Sequence, residues 1–302
     1  MNNSQIMTSF RKEIWEFKKT LFWVPLIIAV LIIAAPFLQL LRMEAYQRSG
    51  MFAFISNVDN LVNLEGGTRL FLNGVMGIFV PFIMVSLIIQ LYYFTTCLFD
   101  ERRDLSVYFW RSLPVSDVLS VGVKLVTGAL VVPAIFMLAA TFVVFVFLLF
   151  ALIACSVLSL GYDISLWGLW GSADIISNLT SMWLNLLPYA LWMFPVFAWL
   201  MLASMFANKA PFLWAILPIV AILLIESFVV EYLHLDGYFF FNILREYFDF
   251  GRSMFPNNVT DIESSRFVLF SALSSKVSIV ATLIGVALLY LTHWLRVNRS
   301  HV

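Results

Sequence analysis

The residues best suited to chemistry in this chain fall in one string. Asp100-Glu101-Arg102-Arg103-Asp104 closes a long apolar run, and Tyr108-Phe109-Trp110-Arg111-Ser112-Leu113-Pro114-Val115-Ser116-Asp117 precedes the next one. Tyr, Phe, Trp and Arg are enriched at the centres of protein interfaces, so the chemistry these types suggest is recognition of a partner, not bond making. Pro114 disfavours helix at Leu113, Ser116 suits the cap of a following helix and Asp117 suits its first turn, which together predict a short elbow between two helices. The patterns that split bonds are missing from the sequence: there is no Gly-x-x-x-x-Gly-Lys-Ser/Thr phosphate loop, no His-Glu-x-x-His helix and no Gly-x-Ser-x-Gly elbow. His234, His293 and His301 are scattered, and Cys97 and Cys155 read as small core residues. The chain is therefore expected to be no enzyme, to ligate no metal and to bind no nucleotide of its own.

Membrane helices must carry that string. Of 302 residues, 62% are hydrophobic and 12% charged, whereas a soluble domain carries about a quarter charged residues. A hydrocarbon layer of about 30 Å takes about 20 residues of helix, because every backbone polar group in lipid must be satisfied within the segment. Six stretches qualify, about 21–41, 71–99, 125–153, 184–206, 211–230 and 270–295. Arg11, Lys12, Lys18 and Lys19 in the N-terminal tail and Arg296 and Arg299 in the C-terminal tail place both ends in the cytoplasm by the positive-inside rule, and an even number of crossings follows. The predicted inner loops are then about three times as dense in Lys and Arg as the outer ones. The uncharged stretch from Leu125 to Tyr162 leaves open one span or a span plus a re-entrant segment. The predicted fold is a single all-α integral membrane domain over 1–302, with residues 100–124 as a cytoplasmic loop and 231–269 as an extracellular segment. The net charge of zero gives no reason to expect a nucleic-acid partner.

Ahead of the first span, Ile6, Phe10, Ile14, Phe17 and Leu21 recur at helical spacing while Arg11, Lys12, Glu13, Glu16, Lys18 and Lys19 take the other faces. This predicts an amphipathic helix over 4–20 lying at the bilayer surface, with Phe10, Ile14 and Phe17 on its apolar face.

The charge cluster, the aromatic string, the Leu113-Pro114-Val115-Ser116 turn, the six spans and the leading surface helix together resemble the permease subunits of type 2 ATP-binding-cassette (ABC) exporters, over essentially the whole chain. The resemblance implies that the elbow is a coupling helix docking on an ATPase subunit, with Asp100, Glu101, Arg102, Arg103, Tyr108, Phe109, Trp110, Arg111, Leu113 and Pro114 as the coupling residues. It further implies two ATPase subunits that bind ATP and Mg, a second permease copy completing a homodimer, and a bacterial inner-membrane location. It places short outer helices near an exit between the fifth and sixth spans. There Glu226, Phe239, Phe240 and Phe241 are candidates for the pathway or an outer gate, with aromatic anchoring and snorkelling as the plainer roles. Few polar side chains mark the spans, among them Asn73, Ser86, Gln90 and Thr141, which suits an amphipathic or lipid-like cargo. A non-transporting ABC-like sensor subunit and a secondary transporter are the rival readings.

Overall fold

The computed structural model describes residues 3–47, 49–50, 74–104, 116–162, 167, 170, 175–233, 237–249 and 268–298, and among them all regular structure is helical. In chain order the helices are α1 (Asn3–Glu16), α2 (Lys18–Arg42), α3 (Phe79–Arg103), α4 (Asp117–Val126), a π-helical segment (Thr127–Val131), α5 (Val132–Tyr162), α6 (Ile175–Leu184), α7 (Leu186–Phe206), α8 (Pro211–Leu233), α9 (Phe240–Phe248), α10 (Val268–Lys276) and α11 (Ile279–Asn298). Six helical runs among the described residues are long and apolar enough to cross a bilayer: Lys18–Arg42, Gly74–Arg103, Asp117–Gly161, Ile175–Phe206, Pro211–Tyr232 and Ile279–Asn298. These are compatible with a multi-pass membrane protein. Their surfaces agree with their composition. On α8, for example, Phe212, Leu213, Trp214, Leu217, Leu224, Ile225 and Phe228 are all exposed, a load of contiguous apolar surface that hydrocarbon solvates and water does not.

The helix bounds differ from the predicted ones in instructive places. Residues 100–103 and 117–124, assigned above to a cytoplasmic loop, are helical: α3 runs on through Arg103 and α4 begins at Asp117, leaving only 104–116 to connect them. Ser116 caps α4 as its position foretells, its side chain accepting the Leu119 N–H at 3.3 Å. The uncharged stretch 125–162 is one continuous helical run rather than a span plus a re-entrant segment. The predicted span 270–295 is instead two helices broken at Val277 and Ser278, and the apolar helix begins only at Ile279. Ser274 and Ser275 turn their hydroxyls back onto the carbonyls of Ser271 and Ala272 (both 2.9 Å), the local bonding by which serine competes with helix propagation.

The chain divides into two compact units. One comprises residues 16–87 and 133–183; within it Phe37 meets Phe150 edge-on at 5.2 Å, and the Trp183 indole donates to the Thr141 hydroxyl at 3.2 Å. The other comprises residues 1–15, 88–132 and 184–302. Its core is α7, against which α8, α10, α11 and the π segment pack. Phe197 of α7 is fully buried and stacks on Phe94 of α3 at 4.4 Å. Gly285 permits close approach of α11, since a Cβ there would lie 2.6 Å from the Phe194 ring and 3.2 Å from the Pro195 backbone.

Candidate functional site: a buried charge cluster

In this second unit one face of α3 carries Gln90, Tyr93, Cys97 and Glu101, at spacings of three, four and four residues, so a stripe of polar and small side chains climbs the helix. Glu101, at its top, is 3% exposed. Three cations converge on its carboxylate: Lys124 Nζ of α4 at 3.1 Å, Arg296 Nη1 of α11 at 3.0 Å and Lys12 Nζ of α1 at 3.2 Å. Lys124 is 1% exposed and also reaches Glu13 of α1 at 3.0 Å, while Tyr93 donates its hydroxyl to the same Glu13 at 3.1 Å. Arg296 completes the set with Asp117 at 2.9 Å and the Ser120 hydroxyl at 3.2 Å.

Among the described residues, Glu13, Glu101 and Asp117 thus face Lys12, Lys124 and Arg296, and these six charges cancel. Cancellation is what permits burial, because an isolated ion leaving water costs far more than a hydrogen bond returns. Ion pairs therefore join four elements distant in sequence, α1, α3, α4 and α11, at the end of the unit where the 104–116 connection leaves and returns.

Beside the cluster, Arg102 points elsewhere. Its Nη2 donates to the carbonyls of Ser204 and Ala207, both at 2.8 Å, and so satisfies acceptors left over at the C-terminus of α7. The Ser204 hydroxyl accepts in turn from the backbone of Leu98 and Phe99, at 3.2 and 2.9 Å.

Below the cluster the stripe continues into the π segment. Gln90 donates to the Gly128 carbonyl at 2.9 Å and accepts from the Tyr189 hydroxyl at 2.7 Å. A π turn breaks the regular i to i−4 ladder and leaves backbone groups for such side-chain partners. Gly128 is required here by space: a Cβ would lie 2.4 Å from the Phe94 ring and 2.8 Å from that of Tyr93, and neither buried ring has room to retreat. Gly128→Ala is expected to lower stability by about 1–3 kcal/mol, the usual cost of overpacking. Thermal unfolding in detergent measures it, and an unchanged midpoint would contradict the packing described.

The outer-gate candidates are also brought together. The Glu226 carboxylate of α8 accepts the backbone N–H groups of Phe239, Phe240 (2.6 Å) and Phe241 (2.9 Å) and so caps α9. At the other end of α9, Lys276 donates to the Glu246 carbonyl at 2.6 Å. Tyr247 donates to the Trp192 carbonyl and stacks on its ring, and burial pushes the Tyr247 phenol up to about 12, so it stays a neutral donor. The side chains of Phe239, Phe240 and Phe241 remain exposed. Glu226→Gln keeps the shape but weakens the cap, and amide exchange at residues 239–241 is expected to quicken roughly two- to thirty-fold. Hydrogen–deuterium exchange checks this, with no change at those amides as the contrary result.

Of the coupling candidates, Asp100, Glu101, Arg102 and Arg103 are placed as described, Arg103 being exposed and paired with Asp100 at 3.3 Å and Asp104 at 3.1 Å. Glu101, expected in the cytoplasmic loop 100–124, is instead buried at the end of α3. Tyr108, Phe109, Trp110, Arg111, Leu113 and Pro114 lie outside the described residues. The helix predicted over 4–20 ends at Glu16, with a turn at Phe17 before α2; Phe10 and Ile14 of α1 and Phe17 are half-buried, and Glu13, expected on the polar face, is buried. Among the described residues no group of three or more His, Cys, Asp or Glu is placed to hold a metal ion. Comparison with family models, with curated proteins and with solved structures finds no match.

Proposed function

We propose that the chain is the permease subunit of an ATP-driven exporter of the ABC type in a bacterial inner membrane, with both termini and the 104–116 elbow cytoplasmic. The observation that carries this reading is the buried cluster. An elbow transmits force only if both of its arms are held, and here Glu101 holds the incoming arm while Lys124, Asp117 and Ser120 hold the outgoing one. The same ion pairs bind in the leading helix through Glu13 and Lys12, and the last span through Arg296. A push on the elbow is therefore delivered to four elements as one body.

The partner that pushes is an ATPase subunit, present in two copies and holding the ATP and Mg that this chain has no motif to bind. A second copy of the chain supplies the other half of the pathway, and alternating access moves an amphipathic or lipid-like cargo. The exposed aromatic edge of α9, latched by Glu226 and Lys276, is the part of the exit best suited to open.

Copurification followed by transport in vesicles is the test. A bound ATPase with ATP-dependent cargo movement supports the exporter. A bound ATPase without movement makes the chain a sensor subunit, and no bound ATPase makes it a secondary transporter.

A further inference from the structure

Arg102, Arg103 and Lys209, with Asn208, Ala207, Ala210 and Phe99, line a cavity of about 480 Å³ where α3 meets the turn between α7 and α8, a size that admits a small polar group. The three charged side chains of this lining are all cations. Arg102 is fixed in place by its two bonds to the α7 carbonyls. Arg103 is exposed, and its pairs with Asp100 and Asp104 are of the surface kind that is readily exchanged. Lys209 makes no ion pair among the described residues. The turn is tight, with Ala210 in the left-handed region at φ 49°, and it presents the N-terminus of α8 to the same space.

A free anion would find the charge sufficient, but the surroundings answer to more than charge. Phe206 at the end of α7, and Phe212, Leu213 and Trp214 in the first turn of α8, are exposed and flank the turn. A cationic cavity at the mouth of two apolar helices, with an indole at the boundary, matches a molecule that is anionic at one end and hydrocarbon beyond. We infer that this cavity binds the phosphodiester headgroup of an anionic phospholipid, with Lys209 and Arg103 as its principal contacts and the acyl chains lying along α7 and α8. The site rests on the membrane-spanning helices and not on the exporter reading, so it stands or falls independently of any ATPase.

The test uses the full chain, purified and delipidated in detergent, then given phosphatidylglycerol or phosphatidylcholine. Native mass spectrometry counts the retained lipid and thermal unfolding reads its effect. Wild type is expected to retain phosphatidylglycerol over phosphatidylcholine by on the order of ten-fold, and Arg103→Gln with Lys209→Gln to bring the two lipids within about two-fold of each other. Asn208→Glu, which adds an anion to the cavity and leaves both cations in place, is expected to do the same, and Lys18→Gln with Lys19→Gln to keep the preference. Equal retention of the two lipids by wild type, or a preference that survives the Arg103 and Lys209 changes and Asn208→Glu, would overturn the assignment. Stabilisation by soluble glycerol phosphate equal to that by phosphatidylglycerol would also overturn it, by showing a site for free anions.

Discussion

Glu101→Gln is expected to be the most damaging single change in the chain, lowering stability by on the order of 3–5 kcal/mol. The substitution keeps the size of the side chain and removes one charge, yet that charge is the shared partner of Lys12, Lys124 and Arg296. Lys124 and Arg296 are 1% and 4% exposed, so neither can turn to water when its partner is lost. Lys124 keeps Glu13 and Arg296 keeps Asp117, but the buried set is left with an uncompensated positive charge. A paired change separates charge balance from packing. Glu13→Leu together with Lys124→Met removes one charge of each sign, leaving Glu101 with Lys12 and Arg296, and is expected to cost far less than Glu101→Gln. Unfolding of the three proteins in one detergent checks both statements. A Glu101→Gln protein as stable as wild type would mean that the cluster is hydrated and holds nothing together.

The contrast between what could be read in advance and what could not follows from how each feature is encoded. Spans are written in composition and run length, so α2, α7 and α8 stand close to their predicted bounds. The Ser116 cap is also local, a residue type beside a proline turn. The charge cluster is not local. Lys12, Lys124 and Arg296 lie 89, 23 and 195 residues from Glu101, and nothing in the sequence around any of them distinguishes a buried ion from a solvated one. A charged residue at a helix end is usually in water, and that prior placed Glu101 and Lys124 in a loop. The stripe of Gln90, Tyr93, Cys97 and Glu101 was the available signal, since four polar or small residues on one face of an apolar helix predict a polar neighbour there. The break at Val277 was likewise visible only in outline, as serines beside a lysine within an apolar run, and it is realised because Lys276 finds the end of α9. Glu226 stood out as the clear acid within a span, but its partners are the backbone groups at 239–241, which carry no sequence signature at all.

Arg111→Glu and Trp110→Ala are expected to abolish ATP hydrolysis stimulated by the permease in the reconstituted complex, while leaving the chain inserted and folded. Trp and Arg are the types that most often dominate an interface, and truncating such an anchor costs at least about 2 kcal/mol of binding, near thirty-fold in affinity. Reversing the charge adds repulsion to loss. Both substitutions leave in place the ion-paired residues described above, Lys12, Glu13, Glu101, Asp117, Lys124 and Arg296, so thermal stability is expected to match wild type. That pairing of readouts gives the experiment its force. Glu101→Gln should lose stability and hydrolysis together because it loosens both arms of the elbow, whereas Trp110→Ala should lose hydrolysis alone because it removes only the contact. Hydrolysis unaffected in Trp110→Ala and Arg111→Glu would remove the elbow from the docking surface, and the cluster would then be a structural clamp on a chain that receives no push there.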